Sequence, residues 1–134
     1  MTLEVVTPEG AKVRNLAVTD VTLPSVMGEM GILPGHVPIM AALGIGPLVA
    51  GTPEGSKAFA ISGGYVEVLE DRVNVLSETC EAAADIDVER ARAKLASATA
   101  RLAGMTAAEG EAYQVVLASV RKAETRLKVA GVGR

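Results

Sequence analysis

Few residues of this chain are equipped for covalent or metal chemistry. Its 134 residues include one histidine, His36, and one cysteine, Cys80. No Walker A loop, GxSxG elbow, HExxH motif or pair of cysteine ligands accompanies them. A lone histidine among prolines and glycines is usually structural, and a cysteine without an activating base is most simply a small apolar side chain. The sequence therefore predicts neither a catalytic centre nor a metal site.

The ionisable residues are unevenly divided along the chain. Residues 1–86 carry four basic and eleven acidic side chains, a net charge of −7, whereas residues 87–134 carry nine basic and five acidic ones, a net charge of +4. An acidic first part and a basic second part indicate two elements with different partners. A nucleic-acid partner is not expected, because the whole chain has a net charge of −3 and only 2% aromatic residues for stacking.

The other bulk properties are typical of a cytosolic protein that does not span a membrane. No window approaches the roughly 20 apolar residues of a transmembrane helix. The start MTLEVV lacks the basic and apolar regions of a signal peptide, and a single cysteine fits a reducing compartment. Apolar residues make up 49% of the chain, so we expect a core of Val, Ile, Leu, Ala and Met.

The first part of the chain is patterned as β structure. Short runs rich in β-branched residues are separated by prolines and glycines, which is typical of a sandwich or barrel. The runs are Leu3–Val6, Val13–Leu23, Lys57–Ser62, Tyr65–Glu70 and Val73–Ser77. The last two form the clearest hairpin, for which we expect a two-residue turn at Asp71-Arg72. Gly63-Gly64, just before it, permits a bend or bulge that side chains would obstruct.

The apolar period changes from 2 to 3.6 after residue 87. Both of the following stripes have the spacing of one helix face. The first comprises Val88, Ala91, Leu95, Ala98 and Leu102, and the second comprises Tyr113, Val116, Val120, Ala123, Leu127 and Ala130. Asp87 is the expected N-cap of the first helix and Gly104 its end. Thr106 and Glu109 form a capping box for the second helix, which we expect to end at Gly131.

Two amphipathic helices with a short link predict an antiparallel αα-hairpin. We expect a β domain over residues 1–84 and a hairpin domain over residues 85–134. Two of the five residues in the first stripe are alanine, which buries far less than the roughly 1.5–3 kcal/mol of a leucine. Such a hairpin is only marginally stable alone. We therefore expect it to fold back on the β domain or to lie along a partner. These two states can be close in free energy. A permanently docked helical cap explains the pattern equally well.

The segment Gly28–Pro38, GEMGILPGHVP, contains three glycines and two prolines. This composition predicts a tightly turned loop that presents Glu29 and Ile32 at an edge. Two interpretations stay open from composition alone. The loop is either a contact surface or a turn that only holds the β domain together.

Three segments, taken in order, carry a resemblance to a known family. They are GEMGILPGHVPIM (Gly28–Met40), FAISGGYVEVLEDRVNVLSETCE (Phe59–Glu81) and ADIDVERARAKL (Ala84–Leu95). Together they resemble the epsilon subunits of bacterial F-type ATP synthases. The resemblance implies an α+β fold, an N-terminal ten-stranded β-sandwich followed by a C-terminal antiparallel αα-hairpin. It also implies a non-catalytic subunit of the rotating central stalk.

The resemblance also implies the partners of the chain. Members of this family join the gamma subunit to the c-ring, so that proton flow turns the stalk, and they lie peripherally on the cytoplasmic face of the inner membrane. The expected c-ring or stalk contacts are Glu29, Met30, Gly31, Ile32 and His36. The hairpin of the family is compact, or it extends toward the alpha and beta catalytic subunits and inhibits ATP hydrolysis. Basic helices suit acidic segments of those subunits, although a solvated basic face explains the same charges.

A nucleotide site is the last feature that the resemblance implies. Some bacterial members bind ATP through an I/L-D-x-x-R-A motif, which Ile86–Ala91 matches in full. The expected ATP-binding residues are Glu81, Ile86, Asp87, Arg90, Ala91 and Arg126. Asp87 can accept hydrogen bonds from adenine or ribose, and Arg90 and Arg126 can pair with phosphates. Helix capping and an exposed helix face are the alternative explanations of Asp87 and Arg90.

Two positions depart from the ATP-binding pattern. Ser97 and Lys122 stand where ATP-binding members carry arginine, and losing a bidentate guanidinium is not conservative. We therefore expect ATP as a weakly bound regulatory ligand and no required cofactor.

Two other functions fit the residues without the family. One is a free-standing nucleotide sensor that uses Asp87, Arg90 and Arg126 outside an ATP synthase. The other is an unrelated β-sandwich adaptor whose basic helices bind an acidic partner. A stable complex with the gamma subunit would identify a rotor subunit, and ATP-dependent compaction of the isolated protein would identify a sensor.

Overall fold

The computed structural model describes residues 1–35 and 38–132. Within them, ten strands form two five-stranded sheets, and two helices follow. The strands are β1 Thr2–Thr7, β2 Gly10–Ala17, β3 Asp20–Ser25, β4 Gly28–Ile32, β5 Ile39–Ala42, β6 Ile45–Thr52, β7 Gly55–Ser62, β8 Tyr65–Leu69, β9 Arg72–Leu76 and β10 Thr79–Ala82, and the helices are α1 Val88–Ala103 and α2 Glu111–Val132. The predicted α+β fold of a ten-stranded sandwich and a helical hairpin is confirmed.

The two sheets pack face to face around an aliphatic core. Sheet one has the order β2-β1-β9-β8-β5, and sheet two has the order β10-β7-β6-β3-β4. Side chains alternate between the inner and outer faces, and the alternation is complete along Ile45–Thr52. The inner faces bury residues such as Leu3, Leu23, Leu48 and Ile61. A chain with so few aromatic residues therefore builds its core from Val, Leu and Ile, as expected.

The predicted run Val13–Leu23 is two strands rather than one. β2 ends at Ala17 in sheet one, and β3 begins at Asp20 in sheet two. Asn15 has a left-handed backbone with φ 46°, and the pairing of β1 with β2 is irregular, so the chain bends out of the first sheet here. The sequence pattern does not reveal this change of sheet, because Val18, which lies between the two strands, is apolar and buried like a strand residue.

The turn of the β8–β9 hairpin lies one position earlier than predicted. Glu70 and Asp71 form it, and Arg72 already belongs to β9. Both turn residues have positive φ, 52° and 60°, as a two-residue type I′ turn between twisted strands requires. The bend predicted at Gly63-Gly64 is confirmed, since φ is 67° and 98° there and a Cβ on the second glycine would overlap a carbonyl of β9.

Both ends of α1 follow the predicted capping signals, whereas the start of α2 does not. Asp87 caps α1, because its Oδ1 accepts the N–H of Arg90 at 3.0 Å, and the helix ends before Gly104. Thr106 N–H donates to Glu109 Oε2 at 2.9 Å, as in the predicted capping box. This box opens a short 3-10 turn, however, and α2 begins only after it.

The apolar stripes of the two helices are also confirmed. Ala91 and Ala98 of α1 and Val116 and Ala123 of α2 are buried. α2 continues one residue beyond Gly131, so the prediction that this glycine ends the helix is wrong. No helix of the described ranges is long and apolar enough to cross a membrane.

The hairpin lies against sheet two through its second helix. α2 packs on β6 and β7, whereas α1, among the described residues, packs mainly on α2. The buried residues of this contact are few, namely Ala58, Ala60, Ile86 and Val129. They form a cluster separate from the core of the sandwich. A 3-10 turn at Ala83–Asp85 connects β10 to the hairpin, and the predicted domain boundary after residue 84 falls inside it.

Candidate functional site

A cleft of about 530 Å³ lies between the sandwich and the hairpin. Its walls come from the β1–β2 turn, β10, the start of α1 and the second half of α2. Five of the six residues predicted to bind ATP line it, namely Glu81, Asp87, Arg90, Ala91 and Arg126. The fold brings them together because α1 starts close after β10 and α2 returns antiparallel to α1. We call this site the interdomain cleft.

An ion pair joins the sandwich and the hairpin across the interdomain cleft. Arg126 Nε donates to Glu81 Oε1 at 2.6 Å, across 45 positions of sequence. The two side chains are 29% and 34% exposed, so water screens this pair less than an exposed pair, which contributes about 0–1 kcal/mol. The other two ion pairs of the described residues each join side chains three positions apart. The Glu81–Arg126 pair is therefore the charged link between the two parts of the protein.

Asp87 combines a structural role with a place in the cleft. Its Oδ1 accepts the N–H of Arg90 and caps α1, which confirms the capping interpretation. A carboxylate has a second oxygen that can accept further hydrogen bonds. Because Asp87 is exposed and lines the cleft, capping leaves it able to contact a ligand.

Ile86 is the predicted ATP-binding residue that the structure does not place in the cleft. It is buried with Ala58, Ala60 and Val129 beneath the hairpin. Its backbone is extended, with φ −81° and ψ 125°, so its side chain points away from that of the next residue, Asp87. Ile86 therefore does not line the cleft, and packing beneath the hairpin explains its apolar character.

Three lysines of the cleft were not among the predicted site residues. Lys94 lies one helical turn after Arg90, a spacing that could have indicated it. Lys122 comes from α2 and places a cation in the cleft, at a position where ATP-binding members of the family carry arginine. Ser97, the other position that differs from the ATP-binding pattern, does not line the cleft. Lys12 comes from β2, and no local sequence signal connects it to the helices. The cleft therefore holds five cationic and three carboxylate side chains, an excess of positive charge that suits a polyanion.

Cys80 lines the cleft as a buried thiol that is 7% exposed. Burial raises the pKa of its thiol from 9.0 to about 11, and the positive charge of Lys12 opposes only part of this shift. The thiol therefore stays protonated at neutral pH, which confirms its interpretation as a small apolar side chain. Within residues 1–35 and 38–132, no group of three or more His, Cys, Asp or Glu side chains is arranged to hold a metal ion.

The predicted contact loop is largely a strand. Glu29, Met30, Gly31 and Ile32 belong to β4, the edge strand that pairs with β3. Ile32 is 0% exposed and lies in the core, so the prediction that an edge presents it is wrong. Strand alternation turns Ile32 inward and leaves Glu29 and Gly31 exposed, with Met30 half-buried. His36 lies outside the described residues.

Exposed apolar residues that the sequence did not single out lie in the turn before this strand and on sheet one. Val26 and Met27 form the β3–β4 turn and are 64% and 93% exposed. The N–H of Val26 donates to the carbonyl of Ala42 at 3.0 Å, which ties the turn to β5. On sheet one, Tyr65 and Leu76 are cross-strand neighbours and are 59% and 56% exposed. Adjacent exposed apolar residues of this kind are candidates for protein contacts.

Known proteins share both the sequence and the fold. The family described as the ATP synthase delta/epsilon chain, beta-sandwich domain, matches residues 1–83. ATP synthase epsilon chain 2 of Syntrophotalea carbinolica is 41% identical over 131 residues, which are 98% of this chain and 94% of that protein. The ATP synthase epsilon chain of Anaeromyxobacter sp. (strain K) is 40% identical over 98% of each chain.

A solved structure extends the similarity to the complete fold. A chain of the Euglena gracilis mitochondrial ATP synthase, in an OSCP/F1/c-ring structure, superposes with a TM-score of 0.80 and 23% identity. The superposition covers 97% of this chain and 80% of that chain. At this identity the likeness shows the fold alone, whereas the two bacterial proteins show the family. The chain therefore belongs to the family of ATP synthase epsilon chains, which are non-catalytic stalk subunits of that complex.

Proposed function

We propose that this chain is a rotor subunit of a proton-translocating F-type ATP synthase, which joins the gamma subunit to the c-ring and restrains ATP hydrolysis through its hairpin. The regulatory part of this proposal is based on the contacts that attach the hairpin to the sandwich. One small apolar cluster and the Glu81–Arg126 pair hold it on a sandwich that has its own core. So limited a contact suits an element that exchanges between docked and extended states. The subunit would lie peripherally on the cytoplasmic face of the inner membrane.

The proposed gamma contact is the outer face of sheet one. Tyr65 and Leu76 form an exposed apolar pair there, with the exposed Ala42 as the neighbour of Tyr65 on β5. A tyrosine between aliphatic residues is typical of the centre of a protein interface. Packing this face against gamma would remove the apolar area from water.

The proposed c-ring contact is the β3–β4 turn with the adjoining edge strand. Val26 and Met27 project from the turn, and Glu29 follows on the exposed side of β4. Ser25 Oγ donates to the carbonyl of Gly28 at 2.6 Å and accepts the N–H of Met27 at 3.1 Å, so the turn is preorganised. The Glu29 carboxylate suits the polar loops of a c-ring, and the rigid turn would place Val26 and Met27 beside that contact.

The proposed contact of the extended hairpin is the basic surface of α1. Arg92, Lys94 and Arg101 are exposed, and α1 packs on the second helix rather than on the sandwich. Individual surface pairs contribute little. Several cations on one helix could nevertheless meet acidic segments of the alpha and beta subunits together.

The interdomain cleft is the proposed regulatory ATP site. Arg90 and Arg126 would pair with the phosphates, while Lys94 and Lys122 add positive charge. These groups come from both helices, and Glu81 comes from the sandwich. A ligand that contacts both parts binds only the docked state and stabilises it. ATP would therefore favour the compact hairpin and oppose inhibition.

Calorimetric titration with ATP tests the site. We expect heat of binding with the wild type, and its loss in Arg90→Ala and Arg126→Gln, which remove cleft cations. Arg101→Gln is the matched control, because this exposed arginine of α1 does not line the cleft. No heat with the wild type, or an equal loss in the control, would contradict the proposed site.

Co-purification with the gamma subunit tests the rotor role separately. A stable complex is expected with the wild type and with Val115→Lys, which places a charge on an exposed apolar residue of α2. Tyr65→Lys combined with Leu76→Lys should prevent the complex by charging the proposed gamma contact. If gamma does not bind the wild type, the proposed rotor role is contradicted. If gamma binds the double variant as tightly as the wild type, the proposed contact face is wrong.

A further inference from the structure

A second cavity opens at the side of the sandwich, between β2 and β7. Its volume is about 560 Å³, within the roughly 300–1,000 Å³ typical of small-molecule sites. Lys12 and Arg14 of β2, Lys57 and Phe59 of β7, and Val129 of α2 line it. We call it the basic cavity. Lys12 is its one residue that also lines the interdomain cleft.

The charge of the basic cavity is opposite to that of its domain. Residues 1–86 carry four basic side chains, and three of them, Lys12, Arg14 and Lys57, line this one cavity. None of the eleven acidic residues in the same part lines it. Lys12 pairs with Glu9 at 3.4 Å. Across the residues that the structure describes, no ion pair engages the other two cations, so both are available to an anion.

The remaining wall of the basic cavity is apolar. Phe59 is the only phenylalanine of the chain and is 8% exposed. Val13, Leu16, Val129 and four alanines also line it, together with one uncharged polar residue, Ser56. The part of this wall that reaches water consists of the half-buried Leu16, Ala82 and Ala83 and the exposed Ala84. An apolar body would cover this part, whereas a simple anion would leave it in contact with water.

We propose that the basic cavity binds a small amphiphilic anion, that is, a phosphate or carboxylate carried on an apolar body. Arg14 and Lys57 would hold the charged group, and Phe59 would contact the body. Val129 belongs both to this cavity and to the cluster that docks the hairpin.

Fluorine NMR can observe this cavity selectively. Incorporation of 4-fluorophenylalanine gives one resonance, because Phe59 is the only phenylalanine. The probe is hexyl phosphate, with inorganic phosphate and hexanol as controls that lack the apolar body or the charge. We expect a saturable shift of the resonance with hexyl phosphate and no saturable shift with either control. No saturable shift with hexyl phosphate, or an equal response to inorganic phosphate, would overturn the proposal.

Two sets of variants locate the binding. The double variant Arg14→Gln with Lys57→Gln should bind hexyl phosphate at least roughly tenfold more weakly, because charge-assisted hydrogen bonds are lost. Arg72→Gln is the matched control, since Arg72 is the one basic residue of residues 1–86 outside the cavity. Unchanged affinity in the double variant would overturn the proposal. Arg90→Ala should lose ATP binding and keep the hexyl phosphate response, because Arg90 lines only the interdomain cleft and takes no part in the Glu81–Arg126 pair. The two sites can therefore fail independently.

Discussion

Replacement of Val129 by alanine should release the hairpin without unfolding the sandwich. Val129 is 0% exposed and belongs to the small docking cluster rather than to the sandwich core. The change removes two buried carbons, about 0.8 kcal/mol each, and leaves a cavity, so docking should weaken by about 2 kcal/mol. That free energy corresponds to a shift of about 30-fold in the ratio of docked to released hairpin.

Amide hydrogen exchange followed by mass spectrometry measures this shift segment by segment. Exchange should accelerate in α2 and stay unchanged in the strands of the sandwich. Val115→Ala is the control, because it deletes the same atoms from a residue of α2 that is 60% exposed. Equal acceleration in the sandwich would show that the hairpin is not a separate unit. Unchanged exchange in α2 would show that Val129 does not hold the hairpin in place.

Two further predictions concern the sandwich itself. Gly64→Ala should lower the free energy of unfolding by at least about 3 kcal/mol, because φ is +98° and the new Cβ would overlap the carbonyl of Leu76. Urea unfolding measures this free energy. Gly31→Ala is the control and should change the free energy far less, because no atom lies within 4 Å of the added Cβ. Burial raises the pKa of Cys80 from 9.0 to about 11, so the thiol ionises first in the unfolded chain and stability should fall as the pH rises through this window. Cys80→Ala should flatten that decline in a urea series from pH 8 to 11, and an identical slope in the variant would refute the assignment to this thiol.

Family membership decides between the functions that the residues alone left open. The match covers the sandwich over residues 1–83, and the bacterial relatives cover both parts of the chain. An unrelated adaptor is therefore excluded. The hairpin contact and the cation-rich cleft support regulation by nucleotide, which calorimetry can test.

Local signals predicted local structure well. The change of apolar period predicted the helices, Asp87 and Gly104 marked the ends of α1, and Gly63-Gly64 marked a bend. These features depend on contacts within a few residues, which one sequence contains. The apolar pattern of Val13–Leu23 predicted strand but could not show that the chain changes sheets within it.

Side-chain direction was the main source of error at the sites. Ile32 and Ile86 were predicted as contact and ligand residues and are buried. Both stand next to exposed residues, Gly31 and Asp87, and a period of two sends neighbours to opposite sides. A motif indicates that a segment forms part of a site. The packing of that segment decides which of its side chains are accessible to a ligand.

The sequence by itself determined the fold class, the family and five of the twelve residues that line the interdomain cleft, because periodicity and motifs are local properties of the chain. Only the tertiary structure decided which other residues they contact. It paired Arg126 with Glu81, brought Lys12 from β2 into the cleft, and gathered Arg14 and Lys57 around a cavity in an acidic domain. These residues are distant in sequence, and their proximity depends on how the sheets and the hairpin pack.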